Sequence, residues 1–200
     1  MEKKIIYIIA GIVLFGCQSA YDITSFQYLI SQDLIKQSYF RKSDCSIILK
    51  STNNKDGLIF ESENDYPLLK ITVCKGGFLL SDEKYEGYRT SLNELKKMLK
   101  DQSLKIGKDH PLAKLSQEER IKLLDVAFSE SANMPKIGKR AIIHTGFVPN
   151  SNQNIIFTTS DGCFDIEIEA PLNSEKDDWG IVDVNLLAEL ISTKYNQHWT

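Results

Sequence analysis

Apolar residues recur along the chain with two spacings, and the alternation between those spacings lays out the elements. Thr24 with Gln27 reads as a capping box, and Phe26, Leu29, Ile30 and Leu34 follow at near-helical intervals, which predicts a helix. The pattern then shortens to apolar and β-branched runs at Cys45 to Lys50, Gly57 to Ser62, Leu68 to Lys75 and Gly77 to Ser81, separated by Asn-, Asp-, Pro- and Gly-rich breaks. These are predicted strands joined by turns. Ser91 with Glu94 caps a predicted helix carrying Leu92, Leu95, Met98 and Leu99, and Ser116 with Glu119 caps another carrying Ile121, Leu124 and Phe128.

Strand pattern returns at Arg140 to Phe147, Asn154 to Thr159 and Cys163 to Glu169. The last two form a hairpin, since Asp161-Gly162 supplies the positive φ of a tight reversal. Asp183 caps a final helix with Leu186, Leu187, Leu190 and Ile191 on one stripe. Connections within the first run of strands are too short for crossover helices, which favours an antiparallel meander. The fold class expected is α+β: antiparallel sheet with about four amphipathic helices packed on one face.

The first residues carry a different signal. Lys3 and Lys4 precede an apolar run from Ile5 to Phe15, the anatomy of a signal peptide. At about 1.5 Å per residue the run spans roughly 16 Å, about half of a bilayer's hydrocarbon core. It closes on Leu14-Phe15-Gly16-Cys17, which resembles the lipobox of bacterial lipoprotein precursors, although Phe15 stands where a smaller residue is usual. The resemblance implies cleavage before Cys17, a diacylglyceryl thioether on its sulfur, and a lipid anchor to the membrane. Gln18 rather than aspartate follows the cysteine, which by the same resemblance implies the periplasmic face of the outer membrane. A plain secretory leader with an incidental cysteine, or an apolar N-terminal strand, is the alternative. The organisation expected is a leader over 1–16, a lipidated N-terminus and short tether over 17–24, and a single α+β domain over 25–200.

Losing the leader removes Lys3, Lys4 and Glu2, which takes the formal net charge from −3 to −4. A mildly acidic body argues against nucleic acid, whose binding rests on clustered cationic contacts to phosphate. Lipidation removes Cys17 from the thiols and leaves Cys45, Cys74 and Cys163, an odd number in a compartment that permits disulfides. A Cys45–Cys74 bridge is the pairing expected, with three unpaired cysteines as the alternative.

The most informative surface is the last hairpin. Asp165, Glu167 and Glu169 alternate with Phe164, Ile166 and Ile168, so three carboxylates line one side of a strand, with Asp161 in the turn before them. Asp161, Asp165, Glu167 and Glu169 form a candidate site for a basic protein partner. The competing explanation is a solvated sheet face, which requires the same alternation. A calcium site at these acids needs loop ligands as well, so no metal and no cofactor is assigned.

For catalysis, His144 with Cys163 and Asp165 or Asp161 is the arrangement available, a thiol, base and acid that would serve a periplasmic hydrolase. Cys163 lacks a nucleophile signature, and no zinc spacing, phosphate-cradling glycine loop or H-E-x-x-H occurs. The function expected is therefore a non-catalytic protein-binding lipoprotein of the envelope, an immunity protein against a periplasmic toxin or an accessory subunit of an envelope assembly.

Overall fold

The computed structural model describes residues 22–38, 49–54, 57–62, 69–101, 105–108, 111–127, 137–145, 152–171 and 182–199. Expectations on the leader, Cys17 and Cys45 lie outside those residues.

Six strands build one antiparallel sheet: β1 (Leu49–Asn54), β2 (Gly57–Ser62), β3 (Lys70–Lys75), β4 (Arg140–Thr145), β5 (Asn152–Thr158) and β6 (Phe164–Pro171). Their order is β1-β2-β3-β6-β5-β4, two three-stranded meanders joined through the central β3/β6 pair. With several helices beside it, the sheet makes the fold α+β.

One face of the sheet is the core. Leu58, Val73, Ile166 and Phe157 form one cross-strand row, and Phe60, Ile71, Ile168 and Ile155 form the next, all nearly or fully buried. Three helices cover that face: α1 (Phe26–Leu29), α2 (Gln32–Gln37) and, after two longer helices, α5 (Val184–Trp199). Leu187, Ala188, Ile191 and Tyr195 of α5 recur at helical spacing and pack into the cluster. Phe26 meets Phe164 edge-on at 5.0 Å and stacks on Tyr195 at 5.7 Å, so the start of the described chain is fixed to the β5–β6 end of the sheet.

The expected Thr24–Gln27 capping box is absent; Thr24 instead donates to Asp22, and a 3-10 turn over Ile23–Ser25 leads into α1. The chain breaks at Ile30 and restarts with Ser31 as the cap of α2, its hydroxyl accepting from the Leu34 amide at 3.4 Å. Asp183 caps α5 as expected, accepting from the Asn185 and Leu186 amides at 3.0 Å each.

The two remaining helices depart from the expected layout. α3 (Asp82–Lys100) starts at Ser81, not Ser91, and Gly77 to Ser81 is a turn rather than a strand. Gly77 sits at φ +82°, where a strand residue does not, and Ser81 accepts from the Lys84 amide at 3.2 Å. α4 (Gln117–Ala127) has the capping box expected: the Glu119 amide donates to Ser116 Oγ at 3.2 Å, and the Ser116 amide to Glu119 Oε2 at 2.8 Å. Rather than joining the main core, α3 and α4 share a small cluster of Leu92 and Leu99 flanked by Leu95, Ile106 and Ile121.

Candidate functional site

The sheet's second face carries the predicted acidic strip, and its cross-strand rows decide what each acid can do, since directly paired residues project to the same side. Asp165 shares its row with Cys74 on β3, Thr158 on β5 and, beyond it, Arg140 on β4. Glu167 shares the next with Thr72 and Ile156. Glu169 lies between Lys70 and Asn154, in a row that continues through Glu61 to Lys50. The strip is thus crossed by rows of different chemistry.

Asp165 is fully buried, which removes it from any solvent-facing strip. Its Oδ2 accepts from the Leu79 and Leu80 amides at 2.9 Å each, and Oδ1 accepts from the Thr158 hydroxyl at 2.8 Å. Arg140 Nε donates to Thr158 at 3.1 Å, and the Arg140 guanidinium pairs with Asp82 in the first turn of α3. A buried carboxylate requires this degree of satisfaction. Its role is to fix the turn that launches α3.

Asp161 is also taken up locally. Oδ1 accepts from Thr159 Oγ1 at 2.6 Å and the Cys163 amide at 3.0 Å, while Oδ2 accepts from Tyr195 at 2.7 Å. Partial burial alone would raise its pKa, but the bonds from Thr159, Cys163 and Tyr195 outweigh it and hold the carboxyl below its ordinary value. It closes the hairpin around Gly162, whose φ of +79° confirms the turn expected from Asp161-Gly162.

Glu167 and Glu169 remain on the half-buried part of the face. Glu167 accepts from Asn154 Nδ2 at 2.8 Å, and the Asn154 Oδ1 atom is buried without a hydrogen-bond partner. Burial, reinforced by the neighbouring Glu167 charge and only partly offset by Lys70, raises the Glu169 pKa. Lys70 in turn lies 3.9 Å from Glu61, both side chains being about half exposed. A cavity of about 390 Å³ opens at this end of the face, lined by Glu61, Lys70, Asn152 and Glu169 with Leu69 and Pro171 as apolar wall. Glu61, Lys70 and the cavity went unnoticed in the sequence, because the row that assembles them is a property of strand register.

The catalytic arrangement does not assemble. The His144 backbone pairs with Asn154, level with Glu169, whereas Cys163 lies six residues down β6, about 20 Å along the strand direction. Cys163 is disulfide-bonded, so it offers no thiolate, and Asp165 is committed to the α3 turn. The two described cysteines, Cys74 and Cys163, do not bridge one another. The expected Cys45–Cys74 pairing is also overturned: Cys74 carries a buried thiol on β3, not half of a disulfide. Among the described residues no group of three His, Cys, Asp or Glu side chains is placed to hold a metal ion, and no helix is long and apolar enough to cross a membrane.

No protein-family model, curated protein or solved structure matches the chain.

Proposed function

We propose that this protein is a lipid-anchored lipoprotein of the cell envelope, attached through Cys17, whose α+β domain binds a basic protein partner without catalysis. The observation that carries the binding half is the contrast between the two sheet faces. One is sealed by α1, α2 and α5, while the other leaves Ile59, Thr72, Ile156, Glu167 and Glu169 half-buried, with a cavity at its Glu169 end. Two carboxylates on a half-buried face suit a cationic partner, whose complementary charge raises the association rate and selectivity. The anchor half rests on Lys3-Lys4, the apolar run and Leu14-Phe15-Gly16-Cys17. One acyl chain holds a protein marginally, and two or more hold it stably.

An inhibitor of a toxin delivered to the periplasm and an accessory subunit of an envelope assembly both fit this reading. The test is affinity capture from envelope extracts with the wild-type protein and with a Glu167→Lys, Glu169→Lys variant, at low and high salt. Capture of a basic protein that the variant loses, and that salt weakens, supports the reading. Equal recovery by both proteins refutes it.

A further inference from the structure

We propose that the cavity at the Glu169 end of the open face is a receptor for one lysine or arginine side chain of a partner protein. The inference rests on the binding function above and names the group that function recognises.

Sign, shape and unmet bonding capacity point the same way. Among the described residues, Glu61 and Glu169 place two carboxylates around the cavity against the ammonium of Lys70, a net charge of −1 that one monovalent cation neutralises. Lys70 is drawn toward Glu61, so Glu169 faces the opening with only part of its charge balanced. Its raised pKa has the same origin: a carboxylate taken partly out of water beside Glu167 is stabilised by an added cation. Asn154, paired in register with Glu169, spends its amide hydrogens on Glu167 and leaves Oδ1 buried and unmatched, a further acceptor in the same row.

The walls select among cations. Leu69 and Ala170 are almost fully buried and, with Pro171, give an apolar surface suited to an aliphatic stem that carries its charge at the tip. The volume lies within the range of small-ligand sites, about 300 to 1,000 Å³. An anion meets the wrong sign, and a purely apolar side chain would leave Glu169 desolvated and unpaired.

The test is a titration of the purified full-length protein followed by backbone amide NMR. The probes are N-acetyl-arginine amide and N-acetyl-lysine amide, with N-acetyl-norleucine amide as the uncharged control. The proposal expects saturable shifts at Glu61, Lys70 and Glu169 with the two cationic probes, weakened about tenfold in Glu169→Gln. An unchanged amide spectrum elsewhere shows that this near-isosteric variant is folded. Shifts of equal size from norleucine, shifts scattered over the surface, or affinity unaffected by Glu169→Gln each overturn it. The two proposals fail separately. If the probes bind but the Glu167→Lys, Glu169→Lys variant leaves partner capture intact, the binding function on this face is wrong and only the cavity's affinity for cationic side chains stands. If capture is lost but no probe binds, the cavity inference falls and the function survives.

Discussion

Replacing Asp165 tests the placement of a carboxylate whose role reverses between sequence and structure. As an outer-face acid it would tolerate substitution, like most surface positions, within about 0.5 kcal/mol. In the structure it is fully buried and accepts three hydrogen bonds, two of them from the Leu79 and Leu80 amides. Asp165→Ala leaves two backbone amides and the Thr158 hydroxyl without their acceptor, each costing about 1–3 kcal/mol, less whatever water recovers by entering the gap. A net loss of about 4 kcal/mol follows, a large part of the roughly 5–15 kcal/mol that holds a domain together. Asp165→Asn retains one acceptor oxygen and loses the charge that strengthens all three bonds, so about 2 kcal/mol is expected. For a domain of this size that corresponds to a melting temperature roughly 4–8 °C lower. Urea denaturation followed by far-UV circular dichroism measures both, with Glu167→Ala, at a half-buried position of the same strip, as the control. If Asp165→Ala costs less than about 1 kcal/mol, no more than the control, the anchoring of the α3 turn by Asp165 is wrong.

Two further perturbations probe the same end of the molecule. Tyr195→Phe removes the 2.7 Å bond to Asp161 and should cost about 1 kcal/mol at pH 7, discounted because the carboxylate is largely exposed. Because the folded pKa of Asp161 lies below its unfolded value, that contribution is present above the unfolded value and lost as pH falls through the folded one. The wild-type and variant stabilities, measured across that window, should therefore converge in acid; a constant gap would refute the assignment. Gly76→Ala would set a Cβ 2.0 Å from the Gly162 carbonyl oxygen, backbone against backbone, and should destabilise by about 3 kcal/mol in the same denaturation assay.

What was legible in the sequence was local chemistry. Ser116 with Glu119, Asp183 before its helix and Asp161-Gly162 between two strands each act within a few residues, and all three do what their types dictate. The start of α3 was not legible, because Ser81 lacks a glutamate three residues on while Ser91 has one at Glu94. What converts the apolar Phe78-Leu79-Leu80 run from strand to turn is a pair of bonds to Asp165, more than eighty residues away in sequence. Period-two alternation put Asp165, Glu167 and Glu169 on one side correctly. It could not show that the turn before α3 roofs the first of them, or that strand register brings Glu61 and Lys70 beside the last.

The chemical state of Cys17 tests the central claim most directly. A lipid thioether excludes both a free thiol and a disulfide on the same sulfur. Non-reducing peptide mapping by mass spectrometry, on protein isolated from its native envelope, distinguishes the states. An anchored lipoprotein gives a mature N-terminal peptide that begins at Cys17 and carries a diacylglyceryl group. A Cys17 that carries no lipid would contradict it.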